Sequence, residues 1–217
     1  MQNIPSHERH WRHAPRWEAL ITVLAVGTAY ALLPDNIRLG PRWLLAALIV
    51  VFVIPLNWAR FVGNYRLVRI LGMAISALVT AAITASAVLL IVRLPGDKTP
   101  PTQLLRDGAV IWGANILVFA IWYWELDCGG PHARHVKRYT STDFLFPQFT
   151  IPGAEESTWS PMFLDYLFLA FNTSAAFSPT DTLILSRPPK VLMMIQSLIS
   201  IVVVAVLVSR AINTLST

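Results

Sequence analysis

Six runs of this chain are nearly free of charge, and each is long enough to enter a lipid bilayer. They lie at about residues 17–33, 42–58, 70–92, 104–126 and 161–177, with a last run from just after Pro189 to about residue 213. A helix of about twenty apolar residues matches the thickness of the hydrocarbon layer. Backbone inside lipid must satisfy its own hydrogen bonds, so such runs fold as helices. The charged fraction is 13%, whereas a soluble domain carries about a quarter. The expected fold is therefore all-α, a polytopic transmembrane helical bundle forming one domain. Residues 17–126 supply four helices. Residues 127–160 form a polar loop or interfacial segment, and 161–213 read as helix, break, helix.

The last third carries the most informative polar residues. Asp165 and Asn172 are seven apart and share a helix face. Thr173, Ser174, Ser178, Thr180, Asp181 and Thr182 crowd the break. Gln196 and Ser200 share a face of the last helix, as do Ser209 and Asn213. Polar groups are costly against hydrocarbon, so these should face protein or a water-filled cavity. Ser160-Pro161 reads as a helix start, a capping serine followed by proline in the first turn. Ser178-Pro179-Thr180-Asp181 has the same character, with an acid three residues after the serine. It serves either as a capped turn between two spans or as part of a pore or binding site.

The stretch resembles the pore module of potassium-type channels. There an acidic-aromatic start, as in Asp165-Tyr166-Leu167-Phe168, leads through a Thr/Ser-rich segment to an aromatic residue and an aspartate, where this chain has Phe177 and Asp181. It is still more similar to an uncharacterised bacterial family of integral membrane proteins labelled ion-channel-like, through FPQF, DYL, AFSPTD and the closing Gln-Ser…Arg-Ala-Ile-Asn. That likeness covers residues 143–213, with 126–131 as an outlier. It implies a bacterial cytoplasmic membrane and a pore-like fold more than a defined activity. The potassium-type likeness would make 161–177 a re-entrant pore helix, leaving five spans and the C-terminus outside, whereas the length of that run, near the short limit for spanning, fits either arrangement. One departure is important. A carbonyl filter needs glycines, and no glycine follows Gly153. Any selection of ions here would fall to side chains such as Thr180 and Asp181.

The first sixteen residues hold Arg9, Arg12 and Arg16 with His7, His10 and His13 at every third position. They read as a basic interfacial segment anchored by Trp11 and Trp17, or as a metal site or pH sensor. Ala29-Tyr30-Ala31 mimics a signal-cleavage site, but the segment is read as a retained span. Ser76, Thr80 and Thr84 alternate with alanines in the third run, which suits a close helix-packing seam or a solute path. Asn115 is the one polar residue in the middle of the fourth run, and Trp122, Tyr123 and Trp124 form an aromatic belt at its end. Cys128, His132 and His135 could ligate zinc or another transition metal, although the spacing is no standard signature and Gly129-Gly130-Pro131 explains a turn. Arg134, Lys137 and Arg138 are expected at lipid phosphates, and residues 143–149 at the interface or packed on the bundle.

The net charge is +5, carried mostly by arginines beside apolar runs. That fits a membrane surface, with no stripe or motif for nucleic acid. With six spans the Lys/Arg bias is ten to seven and favours cytoplasmic termini. No phosphate loop, nucleophile elbow or zincin motif is present, so neither an enzyme nor a cofactor is expected. The functional expectation is a homo-oligomeric ion channel that takes cations in preference to anions. Its pore would be lined by the last two helices and the break. A small-solute transporter centred on Asp165 and Asn172, or a structural, partner-binding membrane protein, are the alternatives.

Overall fold

The computed structural model describes residues 17–93, 100–136, 142–151, 159–179 and 181–215. Six helices of thirteen residues or more dominate: α1 (Trp17–Ala31), α2 (Leu44–Phe61), α3 (Tyr65–Arg93), α4 (Pro101–Leu126), α6 (Phe163–Ala175) and α7 (Arg187–Leu215). A short α5 (Pro131–Val136) follows a 3₁₀ turn at Asp127–Gly129. The all-α architecture carries one minimal ladder, β1 (Phe144–Leu145) against β2 (Leu183–Ile184), antiparallel with Phe144 opposite Ile184. Stretches of α2, α3, α4 and α7 are long and apolar enough to cross a membrane, and α1 contains a shorter apolar helix, Ile21–Ala31.

Apolar surface and short connections determine the arrangement. Helix α4 is the centre and packs on α1, α3, α6 and α7, while α2 leans on α3 and α1. Its second half is almost wholly buried, with Val118, Phe119, Ala120, Tyr123 and Trp124 at most 1% exposed. Helices α1 to α4 alternate in direction. At the α1–α2 corner, Arg38 donates to the carbonyls of Ala31 (3.1 Å) and Leu33 (2.6 Å) and pairs with Asp35. A cation on the last carbonyls satisfies groups that a helix end leaves open.

The hydroxyl seam of α3 turns inward on itself. Thr80 donates to the Ser76 carbonyl (2.7 Å) and Thr84 to the Thr80 carbonyl (2.8 Å). The Thr80 hydroxyl also accepts the indole N–H of Trp122 on α4 (3.0 Å). Thr80→Val keeps the shape and removes that acceptor. It is expected to cost about 1 kcal/mol and to shift the Trp122 fluorescence, whereas Thr84→Val should leave that emission in place.

Helix α6 departs from the expected run. It begins at Phe163, two residues after Pro161, because the Asp165 carboxylate reaches back to accept the Met162 N–H (2.7 Å). Ser160 is therefore not its cap. The helix stops at Ala175, and Phe177 takes a left-handed φ of 54°. Thirteen residues rise only about 20 Å, short of the roughly 30 Å of a hydrocarbon layer. No helix starts at Ser178, contrary to the expected capped start. The chain runs instead through Thr182 into β2.

Contacts set the level of each segment. Phe163 meets Trp124 at the end of α4, and Phe171 meets Trp112 three turns earlier, so α6 is antiparallel to α4. Helix α7 is also antiparallel to α4, with Gln196 by Tyr123, Ser200 by Asn115 and Leu207 by Gly108. Hence α6 and α7 run side by side in the same direction. Residues 176–186 must climb back along α6 to the level where it began, where β2 pairs with β1.

Candidate functional site

Two buried polar clusters and one exposed segment make up the region around α6. The first cluster ties α4, α6 and α7 together. Gln196 is fully buried. Its amide nitrogen donates to the Ala170 carbonyl (2.8 Å) and the Ser174 hydroxyl (2.7 Å), and its side-chain oxygen accepts the Tyr123 hydroxyl. Asn115 donates to Ser200 Oγ (2.9 Å) and to the Gln196 carbonyl (3.3 Å). Ser197 donates to the Thr173 carbonyl at 3.4 Å. Buried amides need such partners, because an unsatisfied one costs about 1–3 kcal/mol. The expected Gln196–Ser200 face exists, but it is spent inside the protomer on holding α6 and α4.

The second cluster anchors the start of α6. The Asp127 carboxylate is fully buried. It accepts the Tyr166 hydroxyl (2.5 Å) and the backbone N–H groups of Asp143 (2.9 Å) and Phe144 (3.3 Å). Arg134 lies over the rings of Tyr166 (5.1 Å) and Trp124 (5.8 Å) and donates to the carbonyls of Trp124 and Asp127. It is 6% exposed, so it closes the corner of the fold and does not meet lipid phosphate. Lys137 and Arg138 lie outside the described residues. Phe144 and Phe146 pack on Tyr166, so residues 143–149 sit on the bundle.

Cys128 adopts a left-handed φ of 53°. Its N–H donates to Asp143 (3.1 Å) and its thiol approaches Asp127 at 3.6 Å. The side chains of His132 and His135 lie outside what the structure describes, as do residues 1–16 with His7, His10 and His13. Among the described residues no group of three or more His, Cys, Asp or Glu could hold a metal ion.

The remaining expected residues separate. Asp165 caps α6 at its first turn, its carboxylate accepting the Met162 N–H. Asn172 donates to the Phe168 carbonyl (2.8 Å) and Thr173 to that of Leu169 (2.8 Å), both on their own helix. Asp165 and Asn172 therefore do not converge on a shared site. Thr180 lies outside the described residues. Phe177 is 47% exposed and Asp181 is exposed, whereas Thr182 is buried. Ser178 and Pro179 border a groove of about 580 Å³ that faces Lys190, Met193 and Leu198 of α7.

Sequence reasoning reads Tyr123 as part of an aromatic belt and does not reach the buried roles of Asp127 and Asp107. Asp107, buried beside Arg106 (3.1 Å), resembles the ordinary polar flank of a span. Residues 100–215 thus place a long helix, a buried corner, a short helix, a returning segment and a second long helix in that order. Comparison with the models of known protein families, with curated proteins and with solved structures finds no match to this chain.

Proposed function

We propose that the chain is a channel subunit of a membrane, with five spans and one re-entrant helix. The pore would lie between identical copies, lined by the returning segment 176–182 and by α7. One observation carries this reading. The segment after the short helix α6 turns back, through β2, to the side from which α6 came. Irregular backbone at membrane depth is tolerated only where protein buries it or where it lines water. In the single protomer Ala176, Phe177 and Asp181 are exposed on this segment. A ring of copies covers such a face and creates a water-filled path on its axis. The likeness to a potassium-type pore module over residues 165–181 supports the same assignment, as does the order α4, α6, return, α7.

Purified protein reconstituted into a planar bilayer tests the proposal. Discrete conductance steps and a closed oligomer in bilayer nanodiscs are expected. A strictly monomeric protein without conductance would remove the pore. The sequence alternative of a solute carrier around Asp165 and Asn172 gains no support, since both side chains bond to their own helix or its cap.

Asp181 supplies a sharper expectation. One exposed carboxylate per subunit forms a ring of negative charge, which concentrates cations most strongly in dilute salt, where screening is weak. Asp181→Asn should leave the oligomer intact and reduce cation preference, more at low than at high ionic strength. Identical currents for parent and variant across a salt series would remove Asp181 from the conduction path.

A further inference from the structure

The first turn of α3 and the corner after α4 enclose a pocket of about 240 Å³. Two guanidinium groups line it, those of Arg66 and Arg69. They stand three residues apart and so share one face of α3. Arg66 is exposed, whereas Arg69 is half-buried and its Nε is shut away from solvent without a hydrogen-bond partner. The opposite wall is the turn of Gly129 and Gly130, which have left-handed φ angles of 83° and 101°. A Cβ at Gly129 would lie 3.7 Å from Arg69 Nη1, so the turn packs against that guanidinium. Glu125 lines the same pocket. Its carboxylate would lie 3.6 Å from a Cβ at Gly130 and 3.5 Å from one at Gly72, which places it between the turn and α3.

Paired guanidinium groups suit phosphate oxygens, which accept their parallel N–H donors. A carboxylate in the same pocket repels a purely anionic group, but it accepts several donors and so welcomes an ammonium. The pocket therefore fits a ligand that carries both charges. We infer that it binds a phosphodiester bearing a primary amine, a phosphoethanolamine headgroup, with the phosphate on Arg66 and Arg69 and the ammonium at Glu125. The place of the pocket points to a lipid as the source. It lies where α2 ends, α3 begins and α4 ends, the level at which membrane-spanning segments meet headgroups. Phe61 and Val62, shortly before Arg66 in the chain, and Ile70, just after Arg69, are exposed apolar side chains along which acyl chains can lie. A soluble phosphoethanolamine ester offers the same headgroup chemistry without those chains. Binding of this kind depends on the membrane reading and requires neither the pore nor a direction across the bilayer.

The test uses the full-length protein, delipidated in mild detergent and titrated with phosphatidylethanolamine, phosphatidylglycerol or phosphatidylcholine. Native mass spectrometry follows the bound lipid. The parent is expected to hold phosphatidylethanolamine most tightly, because phosphatidylglycerol lacks the ammonium and phosphatidylcholine has no N–H to donate. Replacing both arginines, Arg66→Gln with Arg69→Gln, should weaken that binding about tenfold or more, the scale of a charge-assisted hydrogen bond. Glu125→Gln should remove the preference over phosphatidylglycerol and keep the affinity for phosphate. Arg42→Gln, at an exposed arginine of the α1–α2 corner, should change neither. Equal affinity of the parent for the three lipids overturns the headgroup assignment without any variant. Unchanged binding in the double arginine variant overturns the site. If that variant does not fold, Arg66→Gln alone, at an exposed position, carries the same expectation with a smaller loss, and unchanged binding there overturns the site equally. Displacement of the lipid by excess glycerophosphoethanolamine supports the site and assigns it to soluble esters, whereas lack of displacement supports the lipid as its ligand.

Discussion

Asp127→Ala is expected to be the most damaging single substitution at the end of the bundle where α4 ends and α6 begins. It leaves the Tyr166 hydroxyl and the N–H groups of Asp143 and Phe144 without their common acceptor. Each orphaned buried donor costs roughly 1–3 kcal/mol, so the sum is comparable to the whole stability of many domains. Tyr166→Phe removes one bond and leaves the carboxylate its two backbone donors, and should cost about 1 kcal/mol. Asp127→Asn should fall between them, because the amide offers one acceptor oxygen where the carboxylate offers two. Unfolding of the detergent-solubilised protein measures the series. In the double variant, Tyr166→Phe should add almost nothing to Asp127→Ala, since the two changes remove the same contact. Full additivity would show that the carboxylate and the hydroxyl act independently.

Gln196→Leu is expected to loosen α6 at its other end. Leucine fills much of the volume but leaves the Tyr123 hydroxyl and the Ser174 hydroxyl without the glutamine. The Ala170 carbonyl keeps its own helical bond. The Ser174 hydroxyl loses its amide partner and the Tyr123 hydroxyl keeps only Thr173, so the scale is set by one unsatisfied group at about 1–3 kcal/mol. Ser197→Ala, which removes only a 3.4 Å contact to the Thr173 carbonyl, should lie within about 0.5 kcal/mol of the parent. In the proposed oligomer, Gln196→Leu should disturb permeation although Gln196 does not face the proposed path. Equal stability and equal currents for the two variants would deny Gln196 its role as the clamp on α6.

These two clusters mark where sequence reasoning reaches its limit. Run length and mid-span polarity located the long helices to within a few residues, because lipid thickness and backbone satisfaction act on local sequence. The shared face of Gln196 and Ser200, and the isolation of Asn115, were visible for the same reason. Their partners were not. Asn115 meets Ser200 across 85 positions and Tyr166 meets Asp127 across 39, separations that no periodicity encodes. The end of α6 was ambiguous because residues 161–177 are apolar for just about the minimum spanning length. The outcome depends on the backbone turn at Phe177 and on a two-residue ladder with Phe144, and both require the tertiary contacts. Arg134 was assigned to lipid because a basic residue in a polar loop has that default. Its burial follows from two aromatic rings and two carbonyls that converge from elsewhere in the chain.

The fastening of α7 limits how the molecule can move. It is joined to α4 at three heights, through Tyr123 and Gln196, through Asn115 and Ser200, and where Leu207 closes on Gly108. A Cβ added at Gly108 would come within 2.6 Å of Leu207, so that end has little slack. Three fastenings along one helix suppress both sliding and independent tilting. With α6 clamped to Gln196 as well, α4, α6 and α7 behave as one stiff lever. In the proposed oligomer, a pore assembled from such levers would widen by their rotation against one another at the subunit boundaries, as packed units do in rigid-body transitions.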